Sequence, residues 1–473
     1  VFADNGVHGS SLSHPFRSGG LYGRGWGGGQ GRVSRASGKT VWNIPRMCLF
    51  SEKYPFMGCM WRKLPSVNKH SIMLSGSVIS NDMVEIYDYF IDRNLMELLS
   101  DTGINDYTKS VRLNFKIRDL WNRLVLDVPE NEFAKALDSL YVNHVGEVIL
   151  DSLLSKWNRR WHVSLDSAQS EWLLSRHNHY FRCRSFKKYV SKEKGLQKVE
   201  GMVYNAGREG GLVGVECNSW RENTYFNAFV EAGEAKRFSV VRSLDGYAEG
   251  MGFFMGLSAN RPLVIDFEEE SCSEDVASHW HVGSCWETIT EEEFMANEAA
   301  NEYVVDDSDA DFELVDANKT MIQHYFPPKH SYRTLQGGHT NCWKDVLGTR
   351  FQGDSIRGAR IISGGNGKST ATWRATLPKG YYDVQVFVYK SLTIPGASLP
   401  SVINHYTVYY GDEQEEIALS LDEALGNKQQ GWVSLGNFDF PGGGVKITLS
   451  NKENNQNQDI AIIADAVKFV RLE

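Results

Sequence analysis

From Thr370 to the C-terminus the chain is built of short stretches in which apolar and polar residues alternate, each closed by Gly, Pro or Asn. They are Ala371–Leu377, Tyr382–Tyr389, Tyr406–Tyr410, Glu416–Leu419, Trp432–Gly436, Val445–Leu449 and Ala464–Val470. Pro378-Lys379-Gly380 turns the first into the second. A period of two sends successive side chains to opposite faces, so each stretch reads as a strand with one apolar face. Short connections favour antiparallel pairing. A single sheet would leave its apolar face in water, so the pattern predicts two sheets stacked as a sandwich.

The whole chain has 473 residues, too many for one ordinary core, and two to four domains are expected. Residues 1–80 are rich in Gly and Ser, and Ser18–Arg32 reads as loop or interface. No apolar strand precedes that stretch, so it lacks the context of a phosphate-binding loop. Residues 81–195 read as helical, through Asp82–Ile91, a helix opened by Pro129 with Asp127 as its cap, and a stretch from Ala168 to Tyr189. Residues 196–285 read as β-containing, with Leu212–Glu216 and Leu263–Phe267 as strands. Residues 286–302 form a helical connector, in which Thr290 and Glu293 make a capping box. Residues 303–473 are the sandwich. The fold class is therefore multidomain, with an α+β N-terminal region and an all-β antiparallel sandwich at the C-terminus.

Composition narrows the partners. A formal net charge of -9 argues against nucleic acid and anionic membranes. No run of about 18 apolar residues exists, so no transmembrane segment is expected. The chain starts at Val1 and reads as processed or as part of a longer one. Seven Cys at irregular spacings match no compact disulfide scaffold or zinc finger.

Gly431-Trp432-Val433-Ser434-Leu435-Gly436-Asn437-Phe438-Asp439-Phe440, then Gly443-Gly444-Val445-Lys446-Ile447-Thr448-Leu449, then Ile463-Ala464-Asp465-Ala466-Val467-Lys468-Phe469 resemble the golvesin C-terminal-like module. That module is also described as similar to the carbohydrate-binding domain of xanthan lyase. Val304–Phe312 and Thr370–Trp373 fit the same pattern, while Val315–Gly338 and Leu392–Pro400 depart from it. The resemblance covers the last third of the chain. It implies an exported bacterial protein, of a kind frequent in Bacteroidota, whose module attaches to a cell surface or a glycan.

Aromatic residues at strand ends are the candidate glycan contacts: Tyr381, Tyr389, Tyr409 and Tyr410. Trp373 and Trp432 sit mid-strand and are expected in the core. Asp465 stands between alanines in an apolar strand and needs a partner if buried, a loop hydrogen bond being the expected one. Two metal sets are weighed. Asp307, Asp309 and Asp311 alternate as calcium ligands do, but Phe312 and Asn318 break the EF-hand pattern, and a solvated turn is the simpler reading. His279, His281 and Cys285, with His177, His179 and Cys183, twice spell His-x-His-x3-Cys, a zinc-type ligand set without zinc-finger spacing. No cofactor is otherwise expected. Glu268–Glu270 with Asp266 read as a solvated face rather than a glycosidase pair. Cys48 and Cys59 have no identifiable base. Ser363–Thr370 imitates a phosphate loop with the wrong spacing and reads as a hairpin turn.

The leading expectation is a non-catalytic extracytoplasmic protein whose sandwich binds a glycan or another envelope protein subunit. An enzyme acting on polysaccharide or peptidoglycan, carrying the sandwich as an accessory domain, is the alternative. A subunit of a large envelope complex is the third.

Overall fold

In the computed structural model of the chain, residues 47–54, 57–64, 86, 89–176, 179–219, 224–244, 248–256, 258, 260, 264–270, 277–296, 301–317, 340–390, 402–411, 413–453 and 460–472 are described. The Gly-rich stretch 18–32, most of the helix expected at 82–91, His177, Cys272 and most of the two divergent segments lie outside the described residues. The chain divides into two compact units, residues 1–72 with 89–177, and residues 73–88 with 178–473.

The first unit is mainly helical: α1 (Met57–Lys63), α2 (Leu95–Ser100), α3 (Asp106–Asp127), α4 (Glu130–Asn143), α5 (Leu150–Trp161) and α6 (Leu165–Leu174). A parallel pair, β1 (Met47–Phe50) and β2 (Gly146–Ile149), joins them. Its centre is aromatic: Phe133 lies 5.9 Å from Trp61, 5.4 Å from Trp121 and 5.5 Å from Trp157. Asn94 caps α2 through a complete capping box with Glu97. Asp127 ends α3 instead of capping α4, and Pro129 takes the cap position. The α4 pattern stops at Asn143, because His144 is extended and Gly146 takes a positive φ of 106°.

The second unit holds two sandwiches. The first has one sheet of β3 (Phe181–Ser191), β4 (Leu196–Asn205), β7 (Ala235–Ser243), β10 (Glu268–Glu270) and β11 (Gly283–Ile289). The other comprises β5 (Gly211–Ser219), β6 (Thr224–Val230), β8 (Ala248–Met255) and β9 (Val264–Asp266). Phe181, Cys183, Phe186, Val199 and Phe238 of one sheet meet Val213, Val215, Met251 and Phe253 of the other.

Helix was expected as far as Tyr189, yet α6 ends at Leu174 and residues 181–191 are strand. The reason is a β-bulge. The register to β4 shifts between Arg184 and Lys187, where Ser185 takes a φ of 57°. Phe181, Cys183 and Phe186 therefore all face inward at a spacing of two then three, which imitates a helical face. The boundaries drawn at 195/196 and 285/286 consequently fall between paired strands and within β11. The connector helix is α7 (Glu291–Ala296). Thr290 Oγ1 accepts the Glu293 N–H at 3.1 Å, and the Glu293 carboxylate takes the Arg237 guanidinium at 2.5 Å.

The C-terminal sandwich is antiparallel throughout its described ladders, as the alternating stretches predict. One sheet orders β12 (Glu302–Val305), β23 (Val467–Arg471), β17 (Gly380–Tyr389) and β20 (Gln430–Phe440). The facing sheet orders β13 (Phe312–Val315), β16 (Thr370–Leu377), β21 (Gly443–Ser450), β18 (Ile403–Tyr410) and β19 (Glu413–Ser420). Tyr382, Val384, Val386, Phe440 and Phe469 of the first pack against Ala371, Trp373, Val408, Ile447 and Leu449 of the second. A third sheet, β14 (Lys344–Leu347), β15 (Gly358–Ser363) and β22 (Ala461–Ala464), continues from the bend between β22 and β23. Among the described residues no helix is long and apolar enough to cross a membrane.

Candidate functional site

Strand register creates one unusual place. β12 pairs antiparallel with β23, Val305 facing Val467. Asp306 and Asp307 follow directly after β12, and their carboxylates meet that of Asp465 in the bend between β22 and β23. All three carboxylates are buried, and each offers an oxygen within 4.8 Å of the others. β15 adds Arg360, which pairs with Ala464 of β22 in the ladder. The Arg360 Nε lies 3.0 Å from Asp307 Oδ2, and the same guanidinium holds Asp345 on β14.

Only part of this carboxylate set has donors. Ser308 Oγ donates to Asp306 Oδ2 at 2.8 Å, and the Gln352 N–H donates to Asp465 Oδ2 at 3.2 Å. Asp306 Oδ1 and Asp465 Oδ1 are buried without a hydrogen-bond partner among the described residues. Burial, then repulsion from Asp307, pushes the Asp306 carboxyl up. Burial, then repulsion from Asp306 and Asp307, pushes Asp465 up strongly. Burial raises Asp307 to about 6 against the pull of Arg360. The loop between β14 and β15 that supplies Gln352 also reaches the first sandwich: Asp354 takes Arg182 at 2.6 Å, and Thr349 Oγ1 lies 2.9 Å from Asp266 Oδ2.

The alternating aspartates, for which a solvated turn is a simpler reading than calcium, are thus divided. Asp307 joins the cluster, but Asp309 and Asp311 are exposed. Asp309 Oδ2 accepts the Asp306 N–H at 2.8 Å, so it stabilises a turn. The loop hydrogen bond expected for Asp465 is present on one oxygen and missing on the other. Its isolation between alanines was the signal in the sequence; its neighbours Asp306 and Asp307 were not foreseeable as neighbours.

Among the described residues the zinc reading does not assemble. His279, His281 and Cys285 are exposed, whereas His179 and Cys183 are buried. His179 packs on the Phe181 ring, and Cys183 Sγ sits 3.8 Å from Met255 Sδ inside the first sandwich. The acidic run is ion-paired: Glu270 with Lys187 and Glu269 with Lys188, at 3.1 and 3.2 Å. In the loop after β15, Asn451 Oδ1 accepts the N–H groups of Gly367 and Ser369, but the segment is a connection between two sheets and not the expected hairpin turn, because β15 and β16 do not pair.

The four tyrosines do not converge. Tyr389 is 2% exposed and packs edge-on against Phe351 under the third sheet, so it is removed from the glycan set. Tyr410 faces the core, 5.6 Å from Phe438. Tyr409 points from the opposite face of β18, with Lys446 Nζ 3.7 Å above its ring. Tyr381 is exposed on the outer face of the β12-β23-β17-β20 sheet.

That same outer face carries Trp432, whose core placement is corrected. Its neighbour Val433 faces inward, so Trp432 faces out, half-buried, against the edge of Phe387 at 5.3 Å. Lys468 Nζ lies 4.8 Å from its ring centre. Between Trp432 and Tyr381, Asp383 accepts from Gln385 at 2.6 Å and from Ser434 at 2.5 Å. Trp373, by contrast, is in the core, and its Nε1 donates to the Asp465 carbonyl at 3.0 Å.

A family model described as Ntox35, Bacterial toxin 35, matches residues 317–374. No curated protein matches the chain. Among solved structures, Paenibacillus xanthan lyase is similar at a TM-score of 0.26 and 13% identity, over 59% of this chain and 23% of that one. Bacteroides uniformis β-glucuronidase is similar at a TM-score of 0.20 and 10% identity, over 58% of this chain and 27% of that one. The plant receptor-like kinase FER is similar at a TM-score of 0.20 and 11% identity, over 61% of this chain and 88% of that one. This chain spans about a quarter of the xanthan lyase, and likeness at these levels assigns no activity to it.

Proposed function

We propose that the C-terminal sandwich is a glycan-binding module of an extracytoplasmic protein, and that the outer face of the β12-β23-β17-β20 sheet is its binding surface. The carrying observation is the combination on that face of two aromatic rings, Trp432 and Tyr381, with a hydrogen-bonded polar group, Asp383–Gln385–Ser434, between them. Sugars present apolar ring faces and a rim of hydroxyls. Flat rings match the first and carboxylate, amide and hydroxyl groups the second. Trp432 pairs with Phe387, six residues along β17 from Tyr381, so the rings are separated by roughly 20 Å. That span suits several units of an extended polysaccharide. The golvesin-like residue pattern supports the same reading and the location outside the cytoplasm. A partner subunit is less well supported, because a protein interface of stable size calls for a larger apolar centre.

A glycan array probed with the full chain, followed by titration of the best polysaccharide, tests the reading. Trp432→Ala and Tyr381→Ala should each weaken binding by at least about tenfold, the worth of 1.4 kcal/mol. Retention by both variants equal to that of the parent would refute this surface. Binding to no glycan, with capture of an envelope protein through the same residues, would replace glycan by subunit.

A further inference from the structure

We infer that Asp306, Asp307 and Asp465 hold one calcium ion, which ties the first and last strands of the C-terminal sandwich together. This site does not depend on what the outer face binds. Two independent observations meet here. The first is geometric: three buried side chains offer oxygens all within 4.8 Å of one another. Calcium binds oxygens at about 2.3–2.6 Å, so oxygens across its shell stand about 5 Å apart. Magnesium, at about 2.0–2.1 Å and in strict octahedra, would need the set to contract.

The second observation is the missing donors. Asp306 and Asp465 are 8% and 2% exposed, and each has a buried Oδ1 that nothing among the described residues satisfies. A buried carboxylate oxygen without a partner is strongly unfavourable and is rarely tolerated. The two nearby arginines, of which Arg357 also pulls on Asp465, leave both Oδ1 atoms unsatisfied. Arg360 is shared by Asp307 and Asp345, and Arg357 donates to the Phe351 carbonyl at 3.3 Å. A hard divalent cation supplies what is lacking, and carboxylates are the ligands it prefers. The residues come from the N-terminal strand edge, its following turn and the C-terminal bend. An ion there closes the sandwich where β12 joins β23. Through Gln352 it also fixes the loop that contacts the first sandwich.

Trp373, whose indole donates to the Asp465 backbone, makes the site optically addressable. In the full chain, freed of metal with EDTA, terbium should show tryptophan-sensitised emission that calcium displaces at one ion per chain. The unfolding temperature should rise with the logarithm of calcium concentration, as for a ligand that binds only the folded state. Asp306→Asn and Asp465→Asn should each weaken calcium binding by at least about tenfold, or 1.4 kcal/mol, whereas Asp311→Asn, at an exposed position, should leave it unchanged. Millimolar calcium that shifts neither the unfolding temperature nor the terbium signal would overturn the site. So would calcium binding that survives in Asp306→Asn. A cluster that merely shares a proton predicts stability that responds to pH and ignores calcium, and that result would overturn it too. Should one variant fail to fold, the calcium titration of the unmodified chain still decides the matter.

Discussion

Trp373 and Trp432 lie on strands of one sandwich and read alike in sequence, yet their replacement should have unequal consequences. Trp373 is 1% exposed, lies 5.4 Å from the Phe312 ring and donates to the Asp465 carbonyl. Trp373→Ala empties a core site, at about 3–5 kcal/mol. It also strands a buried carbonyl, at about 1–3 kcal/mol more. Trp432→Ala loses an edge contact with Phe387, about 0.5–1.5 kcal/mol. It further loses the Lys468 contact, about 0.5–1 kcal/mol. The totals differ by roughly 1.5–7 kcal/mol, and 1.36 kcal/mol is a factor of ten. Hydrogen exchange followed by mass spectrometry on the full chain reads this directly, in peptides covering β16 and β21. Amides that exchange through opening of the sandwich should speed up at least about tenfold more in Trp373→Ala than in Trp432→Ala. Equal acceleration in the two variants would refute the assignment of inner and outer faces.

Other outcomes follow from the same structure. Gly201→Ala should cost about 1–3 kcal/mol by overpacking, measured by urea denaturation, because its Cβ would stand 2.2 Å from Phe186 Cδ1 and 2.8 Å from Phe238 Cζ. In the native chain Cys285 should react with a thiol reagent, while Cys183 and Cys217 react only after unfolding, as peptide mapping would show. Cys285 is exposed, and burial pushes the other two thiols up, Cys217 to about 11. Burial and then Lys452 hold His405 below its usual value, against Glu416 and Glu453. The unfolded chain therefore binds this proton first as pH falls, so stability rises with pH through the window just below about 6.5. His405→Gln should flatten the pH dependence of the urea midpoint in that window. Asn94→Ala should destabilise the helical unit by about 1 kcal/mol, because it removes the side-chain oxygen that accepts the Glu97 N–H and leaves only the backbone half of the α2 capping box.

Much of this protein is written locally. The period of two between Thr370 and Val470, with its Gly and Pro turns, determines antiparallel strands, and their number and apolar faces determine a sandwich. The Thr290 cap and the apolar faces of the α4 and α5 region are equally local. What sequence alone does not carry is phase and company. Alternation says that Trp432 and Val433 face opposite ways, not which of those ways is covered. Tyr389 faces outward from its sheet like Tyr381, yet the third sheet buries it. In β3 a single bulged residue at Ser185 turned a strand's spacing into a helix's. The carboxylate cluster is the clearest case. Asp465 announced a need for a partner, but only the register of β12 on β23, set by packing between distant segments, brings Asp306 and Asp307 to it. Side-chain periodicity is fixed by backbone geometry within a few residues; proximity across the chain is fixed by which faces exclude water together, and that is a property of the folded whole.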